Sequence, residues 1–272
     1  MTIFPNAKIN IGLNIISKRD DGYHNIESVL YPVPLRDALE FVVLKERRQG
    51  DEIKITGQKL ECRKEDNLVI KAVKLLRDEY DIPPLKIHLH KIIPDGSGLG
   101  GGSSDAAFML KYLNRYFKLG ISNDSLKSYA LELGSDCVFF IDNKPAIASG
   151  RGEKLKDVNL DLSDKFLLIV HPRIRINTAE AYSRAVPSPW DVPLSSLIKE
   201  PVTEWHKLIR NDFQKPVSGK HPVIEEIIEE IYNDGAVFCS MSGSGSSVYG
   251  IFNHKPGLAH YSHYRVWQGI ME

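Results

Sequence analysis

The chain has 272 residues, 42% of them hydrophobic and 26% charged, an ordinary globular mixture with enough length for two domains. Thirty-five basic residues balance thirty-five acidic ones, which argues against a general nucleic-acid binder but leaves room for a local pocket for a small anion. Cys62, Cys137 and Cys239 are scattered and form no CxxC pair, so neither a disulfide framework nor a thiolate zinc site is expected; with no apolar run of ~18 residues and no signal-peptide pattern, the sequence reads as a cytoplasmic protein without a membrane partner.

In "AKINIGLNII" the apolar Ile9, Ile11, Leu13 and Ile15 alternate with Lys8, Asn10, Gly12 and Asn14, which predicts a half-buried strand with a lysine and two asparagines on its open face. An Asp-Gly turn follows in "DDGYH". "ALEFVVLKE" and "DEIKITG" read as further strands, so the opening is expected to be antiparallel sheet. Residues 67–80 carry apolar positions at helical spacing, and "LKIHLHKII" is a strand that feeds "PDGSGLGGGSSDAA". A helix is predicted from Ser103 to a stop at Gly120, then a shorter one opening near Ser122 and ending at Gly134. Asp136 falls just past that end. The charged, glycine-containing stretch before Lys165 marks a boundary, giving domains 1–160 and 161–272. The second holds the strand "KFLLIVHP", the helix "PVIEEIIEEIYNDG" and the strand-like "AVFCSMSGSGSSVYGIF". Strands and helices mix without regular βα alternation, so the class is α+β.

Five glycines between residues 96 and 102 lie between a strand and a helix, where a flexible linker has no place. Bare backbone there can close on an anion with successive N–H groups, and the helix start adds unpaired N–H groups and the positive end of its dipole. Ser103 and Ser104 supply hydroxyls at the same point. The segment therefore reads as a phosphate cradle. It is not a P-loop, because no lysine occurs between Lys91 and Lys111. Gly96, Gly98 and Gly101 satisfy G-x-G-x-x-G, but the surroundings lack the parallel βαβ unit of a dinucleotide fold. The HRD and DFG elements of a protein kinase are absent from the sequence.

"PDGSGLGGGSSDAA" resembles the second motif of the GHMP kinase superfamily. "PNAKINIGLNIISKRDDGYHNIESV" resembles its first motif and "SMSGSGSSVYGIF" its third, in the required order and over nearly the whole chain. The lysine–asparagine face followed by "DGYH" narrows the resemblance to the branch that acts on a cytidine-diphosphate-linked polyol. The resemblance implies a two-domain GHMP kinase fold, with a mixed-sheet N-terminal domain and a ferredoxin-like C-terminal domain. ATP and Mg2+ are the implied cofactors, and the partner is a small molecule rather than nucleic acid, bound by a monomer or homodimer.

The resemblance also implies roles for particular residues. Asp136 stands where the family has its general base, although Gly134-Ser135-Asp136-Cys137-Val138 departs from the usual Gly-Ala-Asp-Val-Pro. Lys8 would pair with it and neutralise developing charge, and Asn10, two residues on and thus on the same face, would hydrogen-bond the polyol. Taken alone, Asp136 is a common turn residue and Lys8 a common solvated charge. Tyr23 and His24 would wall a cytidine pocket, with Thr178 near the substrate and Tyr182 either the opposing ring or a buried helix residue. Asn67, Leu68, Lys91 and Pro94 fall on segments near the nucleotide, and Gly98, Leu99, Gly100, Gly101, Gly102, Ser103 and Ser104 on its phosphates. Gly243, Ser244 and Gly245 would support that region. Magnesium is expected with the nucleotide, and the sequence singles out no metal ligand. His88 and His90 share a strand face but have no partner at metal-ligand spacing and read as structural. The competing readings are another small-molecule GHMP kinase acting on homoserine, mevalonate or a sugar, and a catalytically silent nucleotide-binding regulator, which would need neither Asp136 nor Lys8.

Overall fold

The computed structural model describes residues 2–45, 50–58, 60 and 63–271, so that Cys62 lies outside it. In chain order the strands are β1 (Thr2–Ile3), β2 (Asn6–Lys18), β3 (His24–Arg36), β4 (Ala38–Val43), β5 (Glu52–Gly57), β6 (Leu85–Lys91), β7 (Ala146–Gly150), β8 (Lys154–Asp157), β9 (Phe166–His171), β10 (Phe238–Met241), β11 (Val248–Phe252) and β12 (Arg265–Ile270). The helices are α1 (Leu68–Arg77), α2 (Gly101–Phe117), α3 (Asn123–Leu133), α4 (Ser135–Asp142), α5 (Thr178–Arg184), α6 (Leu194–Leu197), α7 (Trp205–Leu208), α8 (Gln214–Ser218) and α9 (Val223–Asn233). Chain contacts divide these into two compact units. Residues 1–7, 35–95 and 100–143 form the first; residues 8–34, 96–99 and 144–272 form the second.

The first unit is built on a four-stranded sheet in the order β1-β4-β6-β5. The opening is therefore not simply antiparallel: β6 lies between β4 and β5, antiparallel to the former and parallel to the latter. The reason is α1, a crossover that returns the chain in the direction of β5. It begins where the Asn67 side chain accepts the Val69 amide at 2.9 Å, and it buries Val69, Ile70, Ala72, Val73 and Leu76 as one apolar stripe. On β6 the residues Leu85, Ile87 and Leu89 point inward, and Lys91 continues that alternation into the interior at 2% exposure. Ser122 caps α3 by accepting the Ser125 amide, as its sequence position predicts.

The second unit contains the sheet β2-β3-β7-β8 and the antiparallel sheet β10-β11-β9-β12. Ile224, Ile227, Ile228 and Ile231 of α9, spaced i, i+3, i+4 and i+7, join Leu13, Ile15, Leu168, Val170 and Val248 in one core. The strand expected to be half-buried is buried on both faces, since Lys8, Asn10 and Asn14 are each 4% exposed. Alternation identifies the apolar side of a strand but not what covers the polar one; in this unit the cover is a polar network described below. Among the described residues, no helix is long and apolar enough to cross a membrane.

Candidate active site

Four candidates from three distant stretches of the sequence, Lys8 and Asn10, Gly98, and Gly243, meet in the second unit. Gly98 has φ +78°, and a Cβ there would come within 2.0 Å of the Ser242 carbonyl oxygen. The Ser242 hydroxyl donates to the Gly98 carbonyl at 2.9 Å, and the Ser247 amide donates to that of Ser97 at 3.0 Å. The Lys8 amide donates to the Leu99 carbonyl at 2.9 Å, so the first and third motifs hold residues 97–99 from both sides. A Cβ on Gly243, at φ +56°, would lie 3.1 Å from Asn10 Oδ1, 3.4 Å from the Gly98 carbonyl oxygen and 3.5 Å from Lys8 Nζ. At these glycines backbone and the Asn10 and Lys8 side chains crowd in where a Cβ would stand.

The polar face of β2 is organised by the same network. The Lys8 ammonium donates to Asn10 Oδ1, Asn10 Nδ2 donates to the Ser28 hydroxyl at 2.7 Å, and that hydroxyl donates to the Gly12 carbonyl at 2.7 Å. Asn10 is thereby oriented with its oxygen toward the lysine. Asn211 holds the third-motif turn, its Nδ2 donating to the carbonyls of Met241 at 2.7 Å and Gly243 at 2.8 Å. Ser244 lies 3.0 Å, hydroxyl to hydroxyl, from Thr178 at the start of α5. Gly245 packs against Met241 and Ile176 and so supports the turn.

The first unit carries the other end of the glycine segment. Helix α2 opens at Gly101, two residues before the predicted start, after Gly100 at φ +71°. Gly101, Gly102, Ser103 and Ser104 are thus its first four residues; the N–H groups of the first three have no acceptor one turn back within the helix, while the Ser104 amide donates to the Gly100 carbonyl at 2.9 Å. A Cβ on Gly102 would be 3.8 Å from Leu68 Cδ1, which brings the α1 start beside the loop. Pro94 and Leu99 are buried. Asn67 is also buried, and its side-chain oxygen is engaged in capping α1. Ser104 is fully buried with no hydrogen-bond partner for its hydroxyl among the described residues.

Lys91 does not stand in a solvent-lined cleft. Its ammonium is held by Asp37 and, at 2.7 Å, by Asp105, and all three side chains are at most 2% exposed. Burial works against the charge, but the two carboxylates outweigh it and hold the Lys91 pKa above its ordinary value. Burial also pushes the Asp105 carboxyl upward, against the pull of Lys91.

Asp136 lies in the first turn of α4, not in a loop past a helix end. The sequence conceals this because Gly134 ends α3 and immediately begins α4, an eight-residue helix. Cys137 beside it is buried, and burial pushes its thiol up to about 12, with Ser103 hydrogen-bonded to it. Asp136 belongs to the first unit and Lys8 to the second.

The aromatic candidates are in the second unit. His24 and Tyr182 stack on each other with ring centroids 5.0 Å apart and planes inclined by 21°. Tyr182 meets Phe213 edge-on at 4.7 Å and packs against the core, so it is a helix residue whose other face is already taken by His24. At that separation the stacked pair is one double layer, with no space for a third ring between its members. Burial, and then Lys18, lower the His24 pKa. Tyr23 is 56% exposed, with the Arg151 guanidinium carbon 4.8 Å from its ring centre. His88 and His90 both hydrogen-bond the Thr56 hydroxyl at 2.9 Å, and His88 also meets Glu40 at 3.3 Å. Among the described residues no group of three or more His, Cys, Asp or Glu side chains is placed to hold a metal.

Sequence reasoning missed Asp37, Asp105, Ser28, Asn211, Phe213 and Arg151. Of these only Asp105 carried a signal, as an acidic residue in register with the apolar Met109 and Tyr112 of α2.

Comparison with known proteins identifies the family. Residues 67–150 match the family "GHMP kinases N terminal domain" and residues 194–259 match "GHMP kinases C terminal". A 4-diphosphocytidyl-2-C-methyl-D-erythritol kinase of Parabacteroides distasonis is 47% identical over 272 residues, covering 99% of both chains. One from Bacteroides fragilis is 49% identical over 253 residues, covering 93% of this chain and 92% of its own. A crystal structure of 4-(cytidine 5'-diphospho)-2C-methyl-D-erythritol kinase superposes with a TM-score of 0.81 at 27% identity, over 99% of this chain and 98% of the other. The Methanococcus jannaschii mevalonate kinase, at 15% identity and a TM-score of 0.72 over 100% of this chain and 98% of its own, shares the fold. The chain belongs to the GHMP kinases and, within them, to the 4-diphosphocytidyl-2-C-methyl-D-erythritol kinases.

Proposed function

We propose that the chain transfers the γ-phosphoryl group of ATP to the 2-hydroxyl of 4-diphosphocytidyl-2-C-methyl-D-erythritol, a step of non-mevalonate isoprenoid precursor biosynthesis. The observation that carries the reading is the meeting of Lys8, Asn10, Gly98 and Gly243 in one network, in a chain whose relatives at 43–50% identity bear that kinase's name. Phosphoryl transfer demands positioning and charge stabilisation more than covalent chemistry, and this network supplies both kinds of group.

In this reading Asp136 accepts the proton of the substrate hydroxyl, and Lys8 stabilises the charge that develops on the transferring group. Asn10 orients the polyol, its own orientation fixed by Ser28. Tyr23 offers its ring to the cytosine, while His24 and Tyr182 form the wall behind it and Thr178 lies toward the polyol. Asn67, Leu68, Lys91 and Pro94 shape the nucleotide side, and Gly98 to Ser104 receive the phosphates on bare backbone. Gly243, Ser244 and Gly245 support the loop. The cradle fits a phosphate group because the amides of Gly101, Gly102 and Ser103 at the start of α2 have no acceptor within the helix. Magnesium, held by the nucleotide's phosphates and water, would lower the charge that the phosphates present.

The family matches fall on either side of residue 160, which supports N-terminal and C-terminal domains over 1–160 and 161–272. The same reading has the enzyme act in the cytoplasm on a small molecule, without a nucleic-acid or membrane partner, as a monomer or homodimer. The test is ADP release with ATP and magnesium, comparing the cytidylated polyol with mevalonate, homoserine and galactose. Turnover confined to the first is expected, and turnover with another acceptor in its place would discard the cytidine pocket.

A further inference from the structure

Lys91 lies three residues before Pro94 and the glycine segment, where a lysine invites assignment as a phosphate contact. Its surroundings assign it otherwise. The Lys91 side chain is 1% exposed, and its ammonium is shared between Asp37 and Asp105. Asp37 also accepts the backbone amides of Ile92 and Ile93, the latter at 2.8 Å, through its other oxygen. Asp105 belongs to α2, one turn from the bare helix start at Gly101. Gly101 itself faces the ammonium, since a Cβ there would stand 3.2 Å from Lys91 Nζ and 2.8 Å from Ile93 Cγ2. One buried cation thus joins the strand end that enters the glycine segment to the helix turn that leaves it.

We propose that Lys91 is a positioning residue for nucleotide binding, which fixes both ends of the glycine segment through Asp37 and Asp105 and does not itself touch the phosphates. The proposal rests on the kinase reading and deepens it. Two features support it. The triad is closed, with the ammonium and one oxygen of each carboxylate joined and the second Asp37 oxygen engaged by backbone. A lysine in that state has its charge engaged by fixed carboxylates instead of presented to a ligand. The second Asp105 oxygen, which is buried with no hydrogen-bond partner among the described residues, makes this carboxylate's place depend on Lys91.

The test uses the full chain, magnesium ADP as probe, and the variants Lys91→Met, Asp37→Asn, Asp105→Asn and the double variant Lys91→Met/Asp105→Asn. Dissociation constants are measured well below each variant's Tm. Because the three groups act through one arrangement, each single change is expected to weaken magnesium ADP by about tenfold, and the double variant no more than the worse single one. In turnover, the KM for ATP should rise while the KM for the cytidylated substrate stays within about twofold. Loss of ADP binding in Lys91→Met, with both asparagine variants binding normally, would overturn the proposal in favour of direct contact. Unchanged ADP binding in all, with only Tm lowered, would overturn it in favour of plain core packing. Additive losses would also count against it. Should Lys91→Met fail to fold, Asp37→Asn, the near-isosteric Asp105→Asn and their double variant decide the same way. Absence of phosphoryl transfer in the parent protein would sink the kinase reading yet leave the ADP comparison legible.

Discussion

At Gly98 a single added carbon would stand 2.0 Å from a carbonyl oxygen, whereas Tyr23 is 56% exposed with a guanidinium over one side of its ring. The glycine segment is specified by backbone: its carbonyls at Ser97, Gly98 and Leu99 are all taken by donors from distant parts of the second unit. The aromatic wall is specified by side chains, whose positions depend on ring-on-ring packing worth only about 0.5–1.5 kcal/mol per pair beyond burial. The first kind of packing tolerates no added atom, and in the proposed reading it suits a group that every ATP presents identically. The second kind is adjustable, and in that reading it suits the part of the substrate that distinguishes one kinase of this fold from another.

The comparison is sharpened by breaking each side in turn. The largest effect is expected at the reacting group, where Asp136→Asn should lower kcat by about 10³-fold with ATP binding retained. An active variant in a rapid-quench assay would remove Asp136 from the proton transfer. Gly98→Ala should come next, with more than about 100-fold loss of kcat/KM for both substrates, because the carbonyl it meets is backbone and cannot rotate away. Near-normal kinetics would mean that the loop is softer than its packing implies.

A third measurement probes the rigid side through pH. His171 lies under the third motif, 3.2 Å from the Ser246 hydroxyl, and burial followed by Arg265 and Arg173 lowers its pKa to about 4. A lowered imidazole pKa means that the unfolded chain binds the proton more readily. Stability from this group is therefore complete above about pH 6.5 and lost as pH falls toward 4, by roughly 2 kcal/mol at pH 5. Urea midpoints of the parent and His171→Gln should converge as pH falls through that window, and parallel curves would refute the linkage.

The adjustable side should respond less. Tyr23→Ala is expected to raise the KM for the cytidylated substrate by about tenfold and leave that for ATP within twofold. Equal losses would make Tyr23 a fold residue. The smallest effect belongs to Arg151→Ala, about two- to fivefold in the same KM, as an exposed cation–π contact allows.

These differences also explain what the sequence made legible. Glycine announces itself, so the close-packed segment at Gly98 and the third-motif turn are legible in the residues alone. The inward position of Lys91 is written in the alternation of Leu85, Ile87 and Leu89, although the motif beside it draws attention to the phosphates instead. Asp37 has no such mark, because a lone aspartate between two strands breaks no period. The burial of the Lys8 face is hidden for a related reason, since its cover comes from Ser28, Ser242 and Tyr249, as far as 239 positions away. Helix α4 is hidden because a glycine normally signals a stop, and at Gly134 it serves a stop and a start together.

The two buried thiols make the protein its own reporter. Cys137 lies in the first compact unit and Cys239 in the second, and desolvation pushes the thiol of Cys137 up to about 12 and that of Cys239 well above its ordinary value. An alkylating reagent reacts with thiolate, so in the native state neither sulfur competes for it at neutral pH. In a Cys62→Ser background, the rate at which each remaining sulfur is trapped becomes a clock for the opening of its own unit. Peptide mapping after timed alkylation would then show, without an added label, whether the half bearing Asp136 and the half bearing Lys8 loosen together or one before the other.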